Sequence, residues 1–115
     1  MEESLLEVAA VIDRFAGLAR RLDLTSGELT ALTGLQGIPN PRMVIDKDAE
    51  TRIRLLCDLE FALLQVLPDD GLSSWMRRTA FGQSPLQFLA TGPESMRAML
   101  CAARSLAELG GSTPT

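Results

Sequence analysis

The groups whose placement could suggest chemistry are few: the hydroxyls of Ser73, Ser74 and Ser84, the thiols of Cys57 and Cys101, and the adjacent carboxylates Asp69-Asp70. The 115 residues include no histidine. A serine becomes a nucleophile only beside a base, so a Ser-His-Asp arrangement is excluded. Ser84 stands before Pro85, which is the pattern of a helix start rather than of catalysis. The two cysteines lie far apart inside apolar patterns, which predicts two buried free thiols rather than a disulfide or a metal pair. Asp69-Asp70 sits between Pro68 and Gly71, so turn chemistry explains it better than a cation site. Gly34-Leu35-Gln36-Gly37 lacks the strand–turn–helix context of a nucleotide-binding fingerprint. The reactive groups therefore point away from an enzyme, and no cofactor or metal is expected.

Charge leaves contact chemistry as the alternative. The net charge of −4 gives no general help with phosphate binding. Lys47 is the only lysine, so ten of the eleven basic residues are Arg. Arginine's planar fork suits carboxylates at interfaces, although genome composition gives the same bias. No apolar run approaches the roughly 18 residues of a membrane span. The apolar segment at residues 5–12 contains Glu7 and lacks a basic start, so it does not read as a signal peptide. These features predict a cytoplasmic protein.

The elements that must position these residues are helical. An apolar content of 46% with only 4% aromatics implies a core of Leu, Ala, Val, Ile and Met. Leu5, Val8, Ile12, Phe15, Ala19 and Leu22 form one stripe on a helix over about residues 3–22. Thr25 and Glu28 form a capping box that opens a short helix over residues 26–33, with Gly34 as its stop. Gly37, Pro39 and Pro41 interrupt any helix, leaving a loop with a short extended piece at residues 42–45. Asp46 or Asp48 caps a long helix reaching about Leu67. Leu55, Leu56, Leu59, Leu63, Val66 and Leu67 cover one of its faces, and Ile53, Cys57, Phe61 and Leu64 an adjacent one. So wide an apolar surface predicts a central helix contacted from several sides. A short helix over residues 72–78 carries Trp75, and a turn follows around Gly82. Ser84-Pro85 starts another helix that stops at Thr91-Gly92. Pro93 starts the last, whose stripe is Met96, Met99, Leu100, Ala103, Leu106 and Ala107. No strand is predicted, so the fold class is all-α.

The stretch 72–92, LSSWMRRTAFGQSPLQFLATG, supplies a more specific reading. Trp75, Gly82, Pro85, Leu86, Leu89 and Gly92, with Val66-Leu67-Pro68 ending the preceding long helix, resemble the C-terminal toxin-binding domain of the Xre/MbcA/ParS antitoxins. The resemblance spans about residues 48–109, and Gln83 stands where many members have Arg. It implies a partner, a RES-domain toxin of an NAD-consuming family, held by protein–protein contact that shields the toxin's active site. It also implies a division into a helix-turn-helix-like region at 1–47 and a toxin-binding domain at 48–115, in a homodimer or a hetero-oligomer with the toxin. The contact residues it suggests are Trp75, Arg77, Arg78, Phe81, Gln83, Arg97 and Arg104. Four of these have a plainer reading, Trp75 and Phe81 as core and Arg77 and Arg78 as solvated charge; Phe88 likewise reads as core, and Met96 and Met99 as packing on the long helix.

The family's N-terminal half is a DNA-binding helix-turn-helix, and this sequence departs from it. Residues 24–29 look like the motif's first helix, but the Pro/Gly-rich loop stands where a recognition helix should enter the major groove. Arg42, Lys47 and Arg52, with Arg54, are the candidates for phosphate contact, or else a solvated face. Two rivals therefore stay open: a DNA-binding autorepressor of a toxin operon, and a helical interaction module without a toxin partner.

Overall fold

A computed structural model describes residues 2–39, 44–67, 71–79 and 82–111. The described residues form six helices and no strand: α1 (Glu2–Arg21), α2 (Ser26–Thr33), α3 (Lys47–Leu63), α4 (Gly71–Arg77), α5 (Pro85–Leu89) and α6 (Pro93–Gly111). The chain is all-α, as its periodicity predicts. Arg42, Phe81, the Pro68–Asp70 turn and part of the expected extended piece lie outside the described residues.

Local chemistry sets most helix ends. At α2 the Thr25 hydroxyl accepts from the Glu28 amide, and Glu28 Oε1 accepts from the Thr25 amide at 2.9 Å. Both halves of the expected capping box are present. Gly34 closes α2 at φ 81°, a left-handed conformation that costs glycine little and a β-carbon more. Asp46, not Asp48, caps α3, its carboxylate accepting from the Ala49 amide at 2.7 Å. Ser84 and Gln87 form a second capping box at α5, with Pro85 at the first helical position.

α3 is the centre. It packs against α6, α1 and α2, as its broad apolar surface predicts. Ile53 and Leu59 are fully buried on it, and Phe15 and Ile12 of α1 and Met96 of α6 reach the same degree of burial. Leu89 of α5 and Leu72 and Met76 of α4 close the far end of one continuous core. α3 and α6 lie side by side and run the same way. Leu55 shares a depression with Leu100 and Arg104, Asp58 pairs with Arg104, and Phe61 lies beside Ala107.

Three expectations change. α3 stops at Leu63, not Leu67; residues 64–66 continue as a turn, with Leu67 still packed on the core. Phe61 and Leu64, read as part of a covered face, are 61% and 45% exposed. Leu106, read as part of the α6 stripe, is 55% exposed. For Leu106 the physical reason is its place around the helix. Ala103 is buried and Ala107 partly buried toward α3, and Leu106 stands one step round α6 from them.

Leu59→Ala should therefore cost about 2–5 kcal/mol, the range for emptying a well-packed site. Leu106→Ala should stay within about 0.5 kcal/mol, as for other exposed positions. Urea denaturation followed by far-UV circular dichroism measures both, and equal losses would contradict this packing.

Candidate functional site

Among the described residues no set of three His, Cys, Asp or Glu side chains could hold a metal. No described helix is long and apolar enough to cross a membrane. What the fold does build is two surfaces of different character.

The first lies between α2, α4 and α5. It is a pocket of about 460 Å³ lined by Thr25, Glu28, Leu32, Arg77, Ser84, Leu86 and Gln87. Its polar centre is a pair made across 49 residues of sequence. Arg77 donates from Nη1 to Glu28 Oε2 at 2.8 Å and from Nη2 to Glu28 Oε1 at 3.0 Å. The same Nη2 donates to the carbonyls of Leu22 at 2.7 Å and Asp23 at 2.9 Å. Asp23 itself has φ 52°, so the guanidinium fastens the one non-glycine residue held in the left-handed region among those described. Glu28 does two jobs, capping α2 and receiving α4. Its hydrogen bond from Arg77 holds its carboxyl below the usual range, and Arg77 holds its own proton more tightly in return.

The second surface is the seam of α3 and α6. Asp58, Phe61, Ala62 and Gln65 face Arg104, Ala107 and Glu108 across one depression, and Leu55 faces Arg97, Leu100, Cys101, Arg104 and Glu108 across the next. Its ion pairs are loose: Arg97 to Glu94 at 3.4 Å and Arg104 to Asp58 at 3.9 Å, all four side chains more than half exposed.

The predicted contact residues thus separate. Trp75 is half-buried and packs on the core. Arg77 is engaged in the clamp. Arg78 and Gln83 are exposed near α4 and the Gly82 turn, where φ is 82°. Arg97 and Arg104 are exposed together on the seam. Lys47 is exposed at the start of α3, and Arg52 is bound to Asp48 at 3.0 Å on its own helix. Arg54 likewise meets Glu50 at 2.9 Å, so this basic cluster is interleaved with carboxylates. Between α2 and α3 the described residues, 34–39 and 44–46, hold no helix.

Two charged groups escaped sequence reasoning. Glu60 is buried and its carboxylate is bonded by Arg21 of α1. A carboxylate falling between Cys57 and Leu64 at helical spacing was the available signal, because a charge on an apolar stripe must be paired. The Glu28–Arg77 pair had none, since Glu28 already had a local role. The thiols also need correction: Cys57 is buried, but Cys101 is exposed. On α6 the buried positions are Met96, Leu100 and Ala103, and Cys101 stands one step round from them. Burial pushes the Cys57 thiol up to about 11, with nearby Glu60 adding to the effect.

No protein-family model matches this chain, and no curated protein or solved structure matches it.

Two outcomes follow from this geometry. Glu28 has a lowered carboxyl pKa when folded, so its stabilisation is present above the ordinary value of 4.5 and fades as pH falls through the lower folded one. Glu28→Gln should cost about 1 kcal/mol at pH 7, the upper end for a pair this open to solvent, and the gap to wild type should narrow towards pH 3. A gap that widens in acid would contradict the clamp. In native protein, iodoacetamide at pH 8 should modify Cys101 and spare Cys57, with mass spectrometry of the digested chain giving the sites; in urea both should react.

Proposed function

We propose that this chain is a helical antitoxin that binds a RES-domain toxin in the cytoplasm and occludes the toxin's NAD site. It acts by contact and performs no catalysis of its own. The observation that carries this reading is the ordered set Trp75, Gly82, Pro85, Leu86, Leu89 and Gly92. These residues belong to the continuous run α4–turn–α5–turn–α6, in which Leu86 and Leu89 face the core and the glycines take positive φ at the turns. Arg78 and Gln83 are exposed between α4 and α5, and Arg97 and Arg104 are exposed on α6. Exposed arginines suit recognition of carboxylates on another protein.

Promoter binding, the rival reading, gains no support from a basic cluster interleaved with Asp46, Asp48 and Glu50. In the assembly we propose, the active species is a hetero-oligomer with the toxin, with or without a homodimer of this chain at its centre.

The test is direct. A RES toxin should consume NAD in a buffered assay, and equimolar addition of this chain should stop it. Arg97→Glu/Arg104→Glu, two exposed changes that leave the core alone, should raise the concentration needed for half inhibition by roughly tenfold or more. NAD turnover that is unaffected by the wild-type chain would remove the proposal.

A further inference from the structure

α4 is held to the rest of the chain by two kinds of contact. Leu72 and Met76 are buried in the core, and Trp75 packs on it. Among the described residues, the hydrogen bonds from α4 to other elements all come from Arg77. They end on Glu28 and on the carbonyls of Leu22 and Asp23, so one guanidinium spans α4, the α1–α2 junction and the start of α2. Glu28 is also the cap of α2. The same Oε1 that accepts from Arg77 accepts from the Thr25 amide. Asp23 stands in the left-handed region at φ 52°, and its carbonyl is tied down by Arg77. Neither helix persists alone, because α2 has eight residues and α4 seven, against the roughly 12–15 that an isolated helix needs in water.

We propose that Arg77 makes α4 and the start of α2 one cooperative unit, a latch that opens and closes locally while α3 and α6 stay packed. Freed from Arg77, the Glu28 carboxylate loses the partner that aligns it with the Thr25 amide, and Asp23 loses a bond that holds its left-handed turn. Freed from Glu28, the guanidinium keeps only two carbonyls, and α4 is left with its three apolar contacts. Each end weakens when the other is lost, although 49 residues separate them in sequence. Openings of this kind cost less than global unfolding where few apolar side chains are buried and the hydrogen bonds lie near solvent. The coupling is reciprocal, so whatever steadies one end steadies the other by the same factor. Trp75 lies on α4 and exposed Arg78 just after it, so a molecule that settles there is felt at the cap of α2. The latch is a property of this chain and does not depend on the antitoxin reading.

Amide hydrogen exchange, followed by NMR on the full isotope-labelled chain, reads both ends at once. One end reports through the amides of Thr25, Glu28 and Leu29, the other through those of residues 75–78. In wild type the two groups should share one protection and one slope against low urea, both smaller than those of Leu59 in the core. Arg77→Met should speed exchange at Thr25, Glu28 and Leu29 about three- to fivefold, and Glu28→Gln should do the same at residues 75–78, the factor for losing a pair this open to solvent. The double variant should exchange no faster at either end than the faster single one. Arg77→Lys keeps the charge without the planar fork and should give the same pattern more weakly. If Arg77→Met does not fold, Arg77→Lys and Glu28→Gln decide the matter. Three results overturn the latch. One is protection at both ends equal to that of Leu59, because they then open only with the whole fold. Another is a different urea slope at each end. The third is a change at one end that leaves the other at its wild-type rate, or two changes whose effects simply multiply.

Discussion

One constraint shapes this molecule: α3 is apolar around most of its circumference and must be covered on several sides at once. Burying apolar surface is worth about 25 cal/mol per Å², and Ala49, Ile53, Leu56, Cys57, Leu59, Ala62 and Leu63 of α3 are all buried. α1, α2 and α6 each take a sector of α3, with Ile53 and Leu59 reaching full burial between them. Coverage is incomplete. α3 ends at Leu63, near the end of α6, and Phe61 and Leu64 stay exposed to solvent. The packing that makes the core therefore also makes the seam.

The connection between α3 and α6 is built differently. α4 has seven residues and α5 has five, too short for either to persist by propensity. They are held by specific groups instead. The Ser84–Gln87 box fixes the start of α5, while Leu72, Met76, Leu86 and Leu89 tie both helices to the core. Arg77 joins α4 to Glu28 and to two carbonyls at the α1–α2 junction. A guanidinium with four acceptors is a fastener between the two ends of the chain. It ties α4 to the α1–α2 junction, and Arg78, just after α4, is exposed.

Much of this was legible in the sequence where one residue's effect is local. Thr25 with Glu28, Gly34, Ser84 with Pro85, and Gly92 each dictate a cap or stop through hydrogen bonds within four residues, and each does so in the fold. The spacing of Ile12, Phe15, Ala19 and Leu22 named the buried side of α1. Periodicity failed at Phe61, Leu64, Cys101 and Leu106. A stripe reports which side of a helix is apolar, not how far along it a neighbour extends.

The candidate site was legible only in part. Arg97 and Arg104 could be singled out as surface charge, but their place along the α3–α6 seam could not. Arg77 looked like bare charge on a short helix until its partner, 49 residues away, was in view. By itself the sequence determined the all-α class, the helix starts and the lack of a histidine-based chemistry, because those follow from residue type and near-neighbour geometry. Tertiary structure alone decided the parallel register of α3 and α6, the Glu28–Arg77 clamp and which apolar side chains stay uncovered. Those depend on distances between segments that no local pattern encodes.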